Sequence, residues 1–107
     1  MAVAKVQQLI EENALIVFSK SYCPYCVRAK QLLKSLGATG KIIELDNEKD
    51  GAAMQTALVE ISKQRTVPNI FIKGKHLGGC DDTVAAHRNG TLVPMLKDAG
   101  AIIVVEA

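Results

Sequence analysis

The apolar positions of the chain change period several times, and each change marks an element. Val3, Val6, Leu9 and Ile10 recur at helical spacing, so residues 3–12 predict a short amphipathic helix ending near Asn13. Residues 14–19 (ALIVFS) form an apolar run without polar alternation, the pattern of a strand buried on both faces beneath helices. From Pro24 the period is helical again, with Val27, Leu32, Leu33 and Leu36 marking one face. Pro24 suits the first turn of that helix and Gly37 its exit. Residues 41–46 (KIIELD) predict a second strand, and residues 50–63 a helix with Met54, Ala57, Leu58 and Ile61 on one face. Such a β-α-β stretch implies a parallel pair with a right-handed crossover. Residues 69–73 (NIFIK) and 76–79, joined through Gly74-Lys75, predict a hairpin. Residues 81–88 and 91–99 predict two short helices separated by Asn89-Gly90. Residues 101–106 (AIIVVE) have a strand's composition and equally suit a C-terminal segment packed on a helix.

Composition narrows the class. A chain of 107 residues, 49% hydrophobic and 22% charged, fits one compact domain across residues 1–107 and excludes disorder, collagen and coiled coil. Thirteen Lys and Arg against eleven Asp and Glu give a net charge of +2, too mild to indicate a nucleic-acid partner. The apolar runs are too short to span a membrane, and the first thirteen residues carry Glu11 and Glu12 with no apolar secretory core. A cytoplasmic location is therefore expected. Three cysteines are far below the density of a disulfide scaffold, and an odd count cannot fully pair within one chain.

Two of those cysteines, Cys23 and Cys26, form a C-x-x-C between the first strand and the main helix. Cys23 then stands at a helix N-terminus, where unpaired amides and the macrodipole favour a negative charge. Lys20 adds a cation nearby, and the thiolate, not the thiol, is the nucleophile. Pro24 fixes the first turn at little cost. Cys26, further into the helix, is expected to be the less exposed thiol, so that Cys23 attacks and Cys26 resolves. A zinc site completed by His76 and Cys80 is the structural alternative, but the spacing matches no standard finger. A static disulfide across so short a loop would constrain little of the unfolded chain. The redox function is the stronger expectation.

The sequence Cys23-Pro24-Tyr25-Cys26 resembles the active-site signature of the dithiol glutaredoxins. Two further segments match in order: Arg65-Thr66-Val67-Pro68 followed by NIFI, and Gly78-Gly79-Cys80-Asp81-Asp82 opening a helix. The resemblance extends from the first helix to Gly100. It implies an α/β, thioredoxin-like fold: a four-stranded mixed sheet of order 2-1-3-4 flanked by helices. It also implies a cis Val67–Pro68 bond beside the thiols, with the backbone of Val67 meeting the cysteinyl part of glutathione. Thr66, Val67 and Pro68 thus join the expected glutathione site. Gly78-Gly79 permits close backbone approach, and the helix start offers amides to a carboxylate. By resemblance, Gly79, the amide of Cys80 or Asp81, and Asp81 or Asp82 receive the γ-glutamyl end. Lys20 and Gln55 match positions that hold the glycine carboxylate, with Arg65 as a helper. Tyr25 lines the groove, and Tyr22 is partly structural. His76, His87 and the acidic run Glu44, Asp46, Glu48, Asp50 are expected to be structural or solvated. The third cysteine, Cys80, is open to oxidation or to inert packing. Pro94 departs from the family's last helix but falls in its first turn, where it is tolerated.

The function implied is that of a glutathione-dependent thiol–disulfide oxidoreductase. Protein–glutathione mixed disulfides would be reduced through Cys23, and protein disulfides through Cys23 and Cys26. Glutathione is then a co-substrate, no metal is expected, and NADPH and glutathione reductase supply electrons without binding the chain. Family potentials of about −200 to −230 mV let the glutathione pool drive the cycle. The expected state is a monomer with no nucleic-acid or membrane partner. Two rivals remain: a [2Fe–2S] cluster shared between two chains, against which Pro24 argues, and a thioredoxin-like donor served by a flavoenzyme reductase.

Overall fold

A computed structural model describes residues 2–102. In chain order the elements are α1 (Ala2–Glu12), β1 (Leu15–Ser19), α2 (Pro24–Ser35), β2 (Lys41–Glu44), α3 (Gly51–Ser62), β3 (Asn69–Ile72), β4 (Lys75–Gly78), α4 (Cys80–Arg88) and α5 (Leu92–Ala99). The strands form one sheet in the order β2-β1-β3-β4, as the family resemblance implies. β1 runs parallel to β2, with Ile16 opposite Lys41 and Ser19 opposite Glu44. It runs antiparallel to β3, with Leu15 opposite Ile72 and Phe18 opposite Asn69, and β3 pairs antiparallel with β4.

Strand side chains alternate between faces, and β1 feeds two cores in turn. Leu15 and Val17 join Ile70 and Ile72 against Ala29 and Leu33 of α2, Ala86 of α4, and Leu92 and Leu96 of α5. Ile16 and Phe18 join Phe71 against Val6 and Ile10 of α1 and Met54, Ala57 and Leu58 of α3. Every residue of β1 is therefore buried, as its unbroken apolar run predicts. The rings of Phe18 and Phe71 meet edge to face, 6.1 Å between centroids. The Lys5–Asp50 ion pair at 3.0 Å links α1 to the start of α3, but its exposure leaves it little energetic weight.

Several boundaries differ from the periodic pattern, each for a local reason. The second strand stops at Glu44, and Leu45–Asn47 close a single 3-10 turn that buries Leu45. Gly51 packs onto this turn so closely that an added Cβ would stand 1.9 Å from the Leu45 carbonyl oxygen. The buried stripe of α2 is Cys26, Ala29 and Leu33, and Val27 is turned outward, contrary to the expected face. The hairpin turns at Lys73-Gly74, one residue earlier than predicted, because both residues take positive φ (51° and 78°) as a two-residue primed turn requires. Pro94 sits in the first turn of α5 without interrupting it. The described end of the chain makes an isolated antiparallel bridge between Ala38 and Ile102. Residues 103–106 of the last predicted segment lie outside the described residues.

Phe18 has no exposed surface and closes the α1–α3 core from the central strand. Phe18→Ala is expected to cost about 3–5 kcal/mol in urea unfolding, and Phe18→Leu markedly less.

Candidate active site

The site forms where β1 hands the chain to α2. Cys23 is the N-cap residue of α2, extended at φ −87° and ψ 118°, and Pro24 occupies the first helical turn. The Cys23 amide donates to the Lys20 carbonyl at 3.0 Å, closing the connecting turn. The Cys23 sulfur accepts from the amide of Cys26 at 3.3 Å, the position of a capping side chain. It also lies 3.8 Å from the Val67 carbonyl oxygen. All three cysteines are free.

The two thiols of the motif stand in unlike surroundings. Cys23 is half-buried, whereas Cys26 has no exposed surface. Burial pushes the Cys26 thiol above its ordinary value; the Lys20 backbone and Ser19 hydroxyl oppose this in part, and the Cys23 sulfur adds to it. Cys26 therefore holds its proton while Cys23 faces outward from a helix N-terminus. Cys80, 6% exposed in the α2–α4–α5 core, is likewise pushed up by burial, opposed by the positive charge of Arg28. Its environment is that of a packing residue.

Beside the thiols runs a groove of about 340 Å3 lined by Tyr25, Gln64, Thr66, Val67, Pro68, Gly79, Cys80, Asp81 and Asp82. The Val67–Pro68 bond is cis, as the resemblance implies. Opposite it, Gly78 takes φ +124°, and the Asp82 carboxylate occupies the space of a Cβ there, 2.1 Å from where that atom would be. Asp82 Oδ2 accepts from the Gly79 amide at 3.0 Å, and the buried Thr83 hydroxyl donates to the Gly79 carbonyl at 2.8 Å. Asp82 is thus a cap on α4, while Asp81 is exposed at the mouth of the groove. The first-turn amides of α4 precede any intrahelical partner and can receive an anion.

Eight of the residues named from sequence line this groove together; Lys20 and Gln55 stand outside its lining. Gln55 Nε2 donates to the Arg65 carbonyl at 2.6 Å, and its Oε1 is buried without a partner. His76 packs on Phe71 at 5.1 Å between ring centroids, and burial lowers its pKa; His87 is exposed in the last turn of α4. Among the described residues no three His, Cys, Asp or Glu side chains gather as a metal-ligand set, so Cys23, Cys26, His76 and Cys80 do not converge.

Other functional ties escaped the sequence pattern. Gln64 Nε2 donates to the carbonyls of Thr66 and Pro68, both at 2.9 Å, bracing the cis-proline turn from inside the groove. Asp46 accepts from the Ser21 amide at 3.0 Å and from the Ser21 hydroxyl, tying the active-site loop to the turn after β2. Glu44 accepts from Lys30 at 2.9 Å and from the buried Ser19 hydroxyl at 3.1 Å. The acidic run is therefore only partly the solvated face its composition suggests. A carboxylate facing a small hydroxyl at the end of the neighbouring parallel strand is the only sequence signal of these ties.

A glutaredoxin family model matches residues 15–77, the span that carries the C-x-x-C and the cis-proline. The chain belongs to the glutaredoxin family. It is 58% identical over 102 residues to a glutaredoxin of Ricinus communis, covering 95% of this chain and 100% of that one. It is 54% identical over 102 residues to the rice protein named "Glutaredoxin-C4, chloroplastic", covering 95% of this chain and 77% of the relative. A crystal structure of a buckwheat glutaredoxin–glutathione complex superposes with a TM-score of 0.95 at 57% identity, covering 96% of this chain and 94% of that one. The sheet and helices are thus those of a thioredoxin-like glutaredoxin, and the chain is a glutathione-dependent oxidoreductase. None of the described helices is long and apolar enough to cross a membrane.

Two outcomes test this geometry. Hydrogen bonds from Ser21 hold the Asp46 carboxyl below its ordinary value of 3.8, so the charged form stabilises the fold above that pH. Asp46→Asn should melt below the parent at neutral pH, and the gap should close as pH falls through the lowered value. In the reduced native protein, brief alkylation followed by mass spectrometry should mark Cys23 and spare Cys26 and Cys80; rapid labelling of Cys80 would contradict its packing role.

Proposed function

We propose that this glutaredoxin reduces protein–glutathione mixed disulfides through Cys23 alone and protein disulfides through Cys23 and Cys26 together. The observation that carries this is the inequality of the two thiols, one half-exposed at a helix cap and the other fully buried with a raised pKa. In the first route the Cys23 thiolate attacks the glutathione sulfur of the mixed disulfide. The old S–S bond breaks, and the protein leaves as a thiolate that takes up a proton. A second glutathione thiolate attacks the glutathionyl sulfur on Cys23, releasing oxidised glutathione and the Cys23 thiolate. In the second route Cys23 attacks a protein disulfide. Cys26 then loses its proton and attacks the Cys23 sulfur, freeing the protein as a dithiol. Two glutathiones restore the Cys23–Cys26 pair.

Glutathione would lie in the groove beside Tyr25, its cysteinyl part along Thr66, Val67 and Pro68. Its γ-glutamyl carboxylate would meet the first amides of α4 past Gly79, at Cys80 and Asp81. Asp81 is the carboxylate free to take the α-amino group, since Asp82 is engaged with the Gly79 amide. For the glycine carboxylate, Lys20 is the direct partner, and Gln55, whose Nε2 gives one hydrogen to the Arg65 carbonyl, joins it with the second. The working unit is a monomer, one domain over residues 1–107, in the cytoplasm, with NADPH and glutathione reductase renewing glutathione.

Cys23→Ser should abolish reduction of a glutathionylated protein in the glutathione–glutathione reductase coupled assay. Cys26→Ser should retain that activity and lose reduction of a protein disulfide. Retained activity in Cys23→Ser would overturn the mechanism, and faster turnover with thioredoxin reductase than with glutathione would overturn the choice of reductant.

A further inference from the structure

An apolar groove of about 470 Å3 lies on the other flank of α2, between that helix and the edge strand β2. Its floor is Leu15, Val17 and Leu33 of the α2–α4–α5 core. Val27 and Ile42 stand on its walls, 39% and 48% exposed. Lys30 and Lys34 are at its rim, and none of its described lining residues is a carboxylate. Lys30 is held by Glu44 at 2.9 Å, whereas Lys34 makes no ion pair among the described residues. Lys41, opposite Ile16 in the register, belongs to the other face of the sheet. Apolar walls under an unpaired cation fit a segment that is itself apolar and acidic.

The groove begins at Val27, one turn of α2 from Cys23. The Val27 amide donates to the Cys23 carbonyl at 3.1 Å, so Val27 is one helical turn from Cys23 on the same stripe of α2. At 1.5 Å per residue, Lys34 lies about 16 Å along the helix from Cys23. An extended chain spans that distance in about five residues.

We propose that this groove docks the polypeptide flanking the reactive cysteine of a disulfide-bonded protein client. It selects an apolar residue about two positions from that cysteine and an acidic one about five positions away. The proposal rests on the oxidoreductase function above, and adds a site that glutathione does not occupy. Small disulfides, having no flanking chain, bypass it.

The probe is the disulfide-linked dimer of a peptide of about eleven residues, with a central cysteine, Leu about two residues and Glu about five residues to either side. Its counterpart carries Lys in place of Glu, and bis(2-hydroxyethyl) disulfide is the small reference substrate. With one exposed ion pair against one like-charge contact, each of ordinary strength, the chain should reduce the acidic peptide with a kcat/KM about threefold above the basic one. That preference should shrink with added salt. Lys34→Glu should reverse it, and Ile42→Ser should raise KM for both peptides, each variant reducing the small disulfide as the parent does. Equal rates for the two peptides in the parent, or a preference unchanged in Lys34→Glu, would overturn the proposal while leaving the oxidoreductase function intact. Failure on the small disulfide would overturn that function and the proposal with it. A dimer of the parent abolished by Ile42→Ser would assign the groove to a second copy of this chain, and would also overturn the proposal.

Discussion

The complete burial of Cys26 is the constraint on which the thiol end of the molecule depends. Cys26, Ala29 and Leu33 form the inward stripe of α2. That rotation puts the Cys26 amide against the Cys23 sulfur and leaves Cys23 at the helix cap, facing the Val67 carbonyl. The same burial that makes Cys26 a poor acid keeps it from competing with Cys23. One packing choice thus sets the unlike surroundings of two chemically identical side chains.

Elements with strong periodicity were legible in the sequence, and their ends were less so. The five buried residues of β1 announce themselves because a strand covered on both faces carries no polar alternation. Leu45, expected within a second strand over residues 41–46, instead reaches the α1–α3 core from a 3-10 turn, on which Gly51 rests. The expected face of α2 holds for Leu33, with Leu32 and Leu36 packed beside it, and fails at Val27, where Cys26 and Ala29 turn inward instead. Local pattern records what a residue prefers, and only the packed neighbours decide which preference prevails.

The site divides along the same line. Its contiguous parts, the Cys-Pro-Tyr-Cys turn, the Thr-Val-Pro turn and the Gly-Gly helix start, were visible as short runs of residues with special backbone requirements. The ties between them were not. Asp46 on Ser21, Glu44 on Ser19 and Lys30, and Gln64 under the proline turn join residues brought together by strand pairing and chain reversal. A run of acidic residues carries no mark of which carboxylate will meet a hydroxyl. The register of β1 on β2, with Ser19 opposite Glu44, supplies that information.

The rotation of α2 has a consequence on each side of the helix. On the α4 side it presents Tyr25 to a groove lined by backbone turns, helix-start amides and Asp81, which suits a small zwitterionic peptide such as glutathione. On the β2 side it turns Val27 outward and leaves the edge strand partly uncovered, with Ile42 open and lysines above it. Cys26 on the buried stripe and Val27 on the exposed wall are successive residues, so the rotation that hides one thiol leaves an apolar strip beside the other. In the proposed docking role, that exposed strip distinguishes one protein disulfide from another without altering the glutathione side.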